Sequence, residues 1–146
     1  MKKIMLIGSV GCGKTTLTQR LKGSELTYKK TQAIQFHTDI IDTPGEFIQH
    51  RNLYSALITT AINAKVIVLM ASALEKKQIF SPQFASAFNK PCIGLVTKID
   101  LANEAQIEWT MKQLQLAGAS TVFPISAVTG FGVEEVIDYL SEEDSP

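Results

Sequence analysis

Most of the features that mark a specialised protein are missing from this 146-residue chain. It has two cysteines, Cys12 and Cys92, too few for a disulfide framework, and reads as a reduced cytosolic protein. Neither sign of charge is in excess: 14 basic residues balance 14 acidic ones. Without a basic surplus or an acidic block, composition proposes neither nucleic acid nor an anionic membrane as partner. Long apolar runs are missing too. The longest, residues 66–71, falls far short of the roughly 18 residues that suggest a membrane span. Residues 4–7, behind Met1, Lys2 and Lys3, are too short for the apolar core of a signal peptide, and no small-residue cleavage site follows. There is no internal repeat, biased tract or interdomain linker. The expected organisation is one domain over residues 1–146 with a single core. Residues 141–146 have nothing to bury and are expected to fray.

What is present alternates. Residues 3–7, 66–70, 92–96 and 121–123 are short β-branched or apolar runs that read as strands. Residues 33–36 and 40–42 read as two further strands joined by a tight turn around His37 and Thr38. Between them lie helical patterns. One covers residues 14–21, and one from Leu53 to Ala61 repeats Leu53, Leu57 and Ala61 on one face. A third starts at Asn103, an N-cap with Gln106 completing a capping box and Ile107, Met111 and Leu114 facing inward. The last follows Gly132, with Glu134 and Glu135 in its first turn and Val133, Val136, Ile137 and Leu140 on one side. Strands alternating with helices imply an α/β fold: a mostly parallel sheet wrapped on both faces, with a short antiparallel edge hairpin.

Gly8-Ser9-Val10-Gly11-Cys12-Gly13-Lys14-Thr15 fits G-x-x-x-x-G-K-[ST] between a strand and a helix. A phosphate chain brings several negative charges and many acceptor oxygens. Glycines let successive N–H groups curl around it where side chains would collide, and the helix start offers its positive end. Lys14 would reach the β- and γ-phosphates, the Thr15 hydroxyl would bind Mg²⁺, and Thr16 completes the contact segment. Cys12 is expected to be an exposed loop thiol without chemistry.

Asp42-Thr43-Pro44-Gly45 closes an apolar strand with Asp-x-x-Gly. Asp42 would hold a Mg²⁺-bound water and the Gly45 N–H would meet the γ-phosphate. Thr97-Lys98-Ile99-Asp100 follows the strand at 92–96 where GTPases usually carry Asn-Lys-x-Asp. A carboxylate at Asp100 would accept from guanine N1–H and N2–H₂, a donor pair adenine does not present, with the Lys98 stem over the ring. Thr97 departs from asparagine but keeps a hydrogen-bonding group. Ser126-Ala127 resembles the remaining GTPase base loop, where a backbone N–H meets guanine O6.

Through these motifs the chain resembles the EutP/PduV family of small P-loop proteins over nearly its whole length. The resemblance rests on Gly8 to Gly11, on Lys30-Thr31-Gln32-Ala33, on Asp42-Thr43-Pro44-Gly45-Glu46 and on Ala56-Leu57-Ile58-Thr59-Thr60. It implies a GTPase-like (Ras-like) fold, a cytoplasmic location and a role in bacterial ethanolamine or propanediol microcompartment metabolism. It also implies a link to acetate kinase activity with ATP, in tension with a guanine-reading Asp100. By the family pattern, Thr31 would reach Mg²⁺ and the γ-phosphate as an ordering switch. Glu46 stands where many GTPases place a water-orienting glutamine and would assist hydrolysis or orient an acceptor.

The only arginines are Arg20, on the first helix and pointing away from the phosphates, and Arg51, expected at the surface. Val10 occupies a position that crowds any incoming arginine. An arginine finger is typically worth about 10³–10⁵ in rate, so intrinsic hydrolysis is expected to be slow. His37 and His50 lack metal-ligand spacing, and Trp109 is expected to be a half-exposed helix residue. The expected ligands are GTP/GDP and Mg²⁺, with ATP as an alternative nucleotide. Three functions compete: a slowly hydrolysing GTP switch, an ATP-dependent kinase for acetate or a similar carboxylate, and a nucleotide-stabilised docking module for a microcompartment shell or a metabolic enzyme. Nucleic acid and membrane are not expected as partners, and the oligomeric state is left open.

Overall fold

The computed structural model describes residues 3–9, 11–22, 35–36, 40–43 and 53–141. It forms one six-stranded sheet in the order β2-β3-β1-β4-β5-β6. The strands are β1 (Ile4–Gly8), β2 (Gln35–Phe36), β3 (Ile40–Asp42), β4 (Val66–Ser72), β5 (Cys92–Thr97) and β6 (Thr121–Pro124). All neighbours run parallel except β2, which pairs antiparallel with β3 through Gln35↔Asp42 and Phe36↔Ile41. The edge hairpin is therefore present; Ala33, His37 and Thr38, also assigned to it from sequence, lie outside the described residues, as do residues 142–146.

Helices cover both faces, and side-chain parity along the strands says which. Met5, Ile7, Ile41, Ile67 and Leu69 pack on one side with Leu57 of α2 (Tyr54–Ala61) and Leu114 of α3 (Glu104–Leu116). Ile4, Leu6, Ile40, Val68 and Met70 pack on the other with Leu17 of α1 (Lys14–Lys22) and Val136 and Leu140 of α4 (Val133–Ser141). Because both faces are covered, β1 is buried at every position and shows no polar alternation. Asn103 caps α3 through the capping box read from the sequence: its side chain accepts from the Gln106 N–H, and the Gln106 side chain accepts from the Asn103 N–H, both at 2.9 Å. Leu114 is fully buried, while Ile107 and Met111 are half-buried against the same core.

One further element lies between β4 and β5. Phe84–Phe88 forms a 3-10 helix, and Phe84 gathers Tyr54, Phe80 and Phe88 with ring centroids 5.1–5.5 Å away. Phe80, Phe84 and Phe88 recur every fourth residue as on a helix face, but Pro82 and Gln83, at φ +63°, interrupt the stretch, and only this short 3-10 turn forms.

The topology already marks a location. From β1 the chain turns to β3 on one side and to β4 on the other, so the carboxyl end of β1 is a switch point where open α/β sheets bind ligands. Gly8, Asp42, Thr97 and Ser126 all stand at or just past the carboxyl ends of their strands.

Candidate phosphate and base site

The segment after β1 is shaped by its glycines. Gly11 and Gly13 adopt φ of +83° and +97°, which other residues reach only with strain. Gly8 has a different reason: a Cβ there would lie 2.5 Å from Cys12 Sγ and 2.8 Å from the Met70 carbonyl oxygen. The Cys12 N–H closes the turn on the Ser9 carbonyl at 3.2 Å, and the thiol fits beneath the loop where Gly8 has no side chain. This corrects the sequence expectation: Cys12 is 1% exposed and belongs to the core with Leu17 and Met70. Burial pushes its thiol above the usual range, the neighbouring Lys14 charge draws it back in part, and Asp42 pushes it up again.

Lys14 is buried, with its ammonium 3.0 Å from the Gly8 carbonyl and 3.4 Å from that of Ser9, and 4.0 Å from Cys12 Sγ. A buried charge needs such partners, and carbonyls supply them without cancelling it. The result is a positive charge held in place at the start of a helix. The first turn of α1 is tied down by the Leu17 N–H on the Gly13 carbonyl (2.9 Å) and the Thr18 hydroxyl on the Lys14 carbonyl (2.8 Å). Thr15 lies in this turn and Thr16, half-buried, follows it. Ser9 is buried within the loop. Asp42 is buried at the end of β3, and the Thr43 hydroxyl next to it donates to the Leu6 carbonyl at 2.7 Å, clamping β3 to β1. Val10, Thr31, Gly45, Glu46, Arg51 and His50 lie outside the described residues.

From the other side, the β5 loop reaches the same backbone. The Thr97 hydroxyl donates to the Cys12 carbonyl at 2.5 Å, with the Ala71 carbonyl at 3.4 Å. One hydroxyl proton serves one strong bond, so the phosphate loop receives it. Lys98, in the left-handed region at φ +60°, donates to the Gly11 carbonyl at 2.6 Å. Thr97 is thus a tether between loops, and Lys98 spans the phosphate loop's outer edge. Asp100 follows, exposed, on a 3-10 turn. Ser126 is buried past β6 and organises its own loop. Its N–H donates to Phe131 (3.0 Å), its carbonyl accepts from Gly130 (2.8 Å) and its hydroxyl from Thr129 (3.2 Å). Ala127 is half-buried beside it.

Sequence reasoning missed Arg20 as part of this site. It does point away from the phosphate loop, as a helical wheel predicts, but its guanidinium donates to the carbonyls of Ala127 and Val128. A contact spanning 107 residues leaves no local pattern to read.

Chemically, the described residues offer an anion cradle with one fixed cation, a buried carboxylate near it, the loop after β5 tied to its rim and the loop after β6 tied to the helix that follows it. The arrangement would suit a polyphosphate, and Asp42 is a carboxylate of the kind that would hold Mg²⁺ beside phosphate oxygens. No helix among the described residues is long and apolar enough to cross a membrane.

Residues 1–142 match the family model described as ethanolamine utilisation–propanediol utilisation, PduV-EutP. The propanediol utilization protein PduV of Citrobacter freundii is 47% identical over 99% of this chain and 97% of its own. The Escherichia coli (strain K12) protein named "Probable acetate kinase EutP" is 33% identical over 97% of this chain and 90% of its own. Among solved structures, the bacterial selenocysteine-specific elongation factor EF-Sec matches with TM-score 0.68 at 23% identity. The match covers 94% of this chain and 27% of that one. The GTPase Era of Aquifex aeolicus, bound to GDP and AlF4⁻, matches with TM-score 0.66 at 20% identity, over 99% of this chain and 59% of that one. The fold is that of P-loop GTPases, and this chain spans about a quarter to three-fifths of those solved chains.

Proposed function

This chain belongs to the ethanolamine–propanediol utilisation family PduV-EutP, and from that membership and the cradle around Lys14 we propose a Mg²⁺-dependent guanine-nucleotide-binding protein that hydrolyses GTP slowly. It acts as a switch or accessory factor in the utilisation of ethanolamine or propanediol. The observation that carries this is the buried Lys14 ammonium, fixed on the Gly8 and Ser9 carbonyls inside a loop whose glycines take positive φ.

Preference for guanine is supported by the Thr97 and Lys98 tethers, which bind the Asp100 turn to the phosphate loop. Asp100 would take the guanine N1–H and N2–H₂ donors, and the Ala127 N–H would take O6. Thr15 and Asp42 would hold Mg²⁺, directly and through water, with Thr31 and the Gly45 N–H joining at the γ-phosphate. When bound, the ion neutralises charge on the phosphate oxygens. Glu46 would orient water or an acceptor. Arg20 points away from the phosphate loop and is held on the carbonyls of Ala127 and Val128, so it is not placed to meet a transferring phosphoryl, which supports slow turnover. The setting is the cytoplasm or a microcompartment, with a shell protein or a metabolic enzyme as partner.

The name of the Escherichia coli relative gives a second reading, phosphoryl transfer from ATP to acetate. One experiment separates them: calorimetric titration with GDP, GTP, ADP and ATP in Mg²⁺, with acetate present or absent and acetyl phosphate assayed. Guanine nucleotides binding at least about tenfold tighter than adenine, turnover below about 1 s⁻¹ and no acetyl phosphate are expected. Lys14→Ala is expected to lose binding by about a hundredfold or more. Tighter ATP binding with acetate-dependent product would replace the switch by the kinase. Unaltered partner capture by Lys14→Ala would leave only a docking module.

A further inference from the structure

The loop from Ser126 to Gly130 is closed mainly by bonds that all involve Ser126: its N–H, its carbonyl and its hydroxyl. Those bonds leave the outward carbonyls of Ala127 and Val128 at the loop's tip. Arg20, two turns into α1, takes both, through Nε to Ala127 and through a terminal nitrogen to Val128 at 2.8 Å. A guanidinium is a rigid planar fork, so two adjacent carbonyls held this way lose their freedom to rotate. The guanidinium also packs closely on the loop: a Cβ on Gly130, whose φ is +89°, would lie 3.4 Å from it. Little else holds the tip. Val128 and Phe131 are 64% and 62% exposed. The Ala127 N–H, by contrast, donates to no described residue. That N–H shares its planar peptide with the Ser126 carbonyl, which the Gly130 N–H holds, while Arg20 fixes the peptide on the other side of Ala127; together the two set where the N–H points.

We infer that Arg20 is a positioning residue for base recognition: from the helix that starts at the phosphate loop, it holds the loop after β6 so that the Ala127 N–H faces a purine 6-oxo group. This rests on the guanine-binding function proposed above and adds to it a specificity device that involves no contact between Arg20 and nucleotide. The same helix then serves both ends of the ligand. Its N-terminus meets phosphate, and its second turn sets the base loop.

The test compares wild type, Arg20→Gln and Arg20→Lys in binding three probes: GDP, the diphosphate of 2,6-diaminopurine riboside, and inorganic pyrophosphate. The diaminopurine replaces the 6-oxo acceptor by an amino donor, and pyrophosphate reads the cradle alone. Wild type is expected to prefer GDP over the diaminopurine. In Arg20→Gln, GDP binding is expected to weaken about tenfold, the preference for the 6-oxo purine to shrink by a similar factor, and pyrophosphate binding to stay unchanged. Arg20→Lys, which keeps the charge on a single donor nitrogen but loses the planar fork, should fall between. If wild type binds no guanine nucleotide, the proposed function fails and this inference with it. If wild type prefers GDP but Arg20→Gln keeps the same preference, the inference alone is overturned. A parallel loss of GDP and pyrophosphate binding would also overturn it, by showing that Arg20 merely stabilises the helix.

Discussion

At the proposed phosphate end of the site, the Lys14 ammonium reaches back six residues to Gly8 and five to Ser9, and the Cys12 N–H closes a turn on the Ser9 carbonyl. At the base end, Thr97 meets Cys12 across 85 residues, Lys98 meets Gly11 across 87, and Arg20 meets Ala127 and Val128 across 107 and 108. The first region is a short local turn between a strand and a helix. The second has no local identity; it is assembled by side chains that borrow the phosphate loop's backbone and helix as scaffold. The cradle should therefore be limited by packing within itself, and the base end by a few separate polar ties.

The largest effect should come from packing in the cradle. Gly8→Ala puts a methyl group 2.5 Å from Cys12 Sγ and 2.8 Å from the Met70 carbonyl. Overpacking of this kind costs about 3 kcal/mol, a fall in Tm of about 10 °C. Cys12→Ala alone leaves a small cavity and should cost about 1–2 kcal/mol. In the double variant the two losses should fail to add by at least about 1 kcal/mol, because removing the thiol makes room for the methyl. Thermal and denaturant unfolding of all four proteins decide it. Additive losses would mean that Gly8 is needed for another reason.

Next in size is Thr97→Val, which keeps the side-chain shape but leaves the Cys12 carbonyl without its hydroxyl donor. An orphaned buried carbonyl costs about 1–3 kcal/mol. Thr97→Asn, the residue GTPases usually carry, should restore a donor and most of the stability. If Thr97→Val proves as stable as wild type, the base end is not tied to the cradle through this residue.

The same contrast explains what the sequence disclosed. The cradle was legible because its physics is local. Gly11 and Gly13 at positive φ, Lys14 and the helix start are consecutive, and their spacing is the motif. The capping box at Asn103 and Gln106 was legible for the same reason. The sheet followed from apolar runs too continuous to face water. Thr97 could be named as a departure from asparagine, but its role as a tether needed the fold, since nothing near it in sequence points to Cys12. Cys12 itself was misplaced because a loop position suggests exposure, whereas the missing Cβ of Gly8 turns its thiol inward. Arg20 was correctly placed off the phosphates, yet its partners lie beyond any window. The aromatic cluster around Phe84 escaped because Pro82 and Gln83 break its fourth-residue spacing and Tyr54 joins it from another helix.

Cys92 offers a reference remote from both ends. It is buried at the start of β5, and burial alone pushes its thiol from 9.0 up to about 12, whereas at Cys12 the Lys14 charge opposes the same effect. Folding favours the neutral thiol, so this part of stability is fully present below pH 9 and is lost as pH rises from 9 towards 12. The slope is about 1.4 kcal/mol per pH unit. Urea midpoints between pH 8.5 and 10.5 should therefore fall less steeply in Cys92→Val than in wild type. Equal slopes would show that the buried thiol ionises freely in the native protein.

The smallest effect should come from Lys98→Met, and it sharpens the comparison most. Lys98 and Thr97 are adjacent, and both donate to carbonyls of the phosphate loop, at 2.6 and 2.5 Å. They differ in burial: Thr97 is 3% exposed, while the Lys98 contact lies open to solvent. Water can replace the lysine at the Gly11 carbonyl but has no access to that of Cys12. Methionine keeps the apolar stem that would lie over a base and removes only the donor. Stability should change by no more than about 0.5 kcal/mol, and GDP affinity should fall by about threefold or less. A loss as large as that of Thr97→Val would mean that bond length, not burial, sets the strength of the ties at the base end.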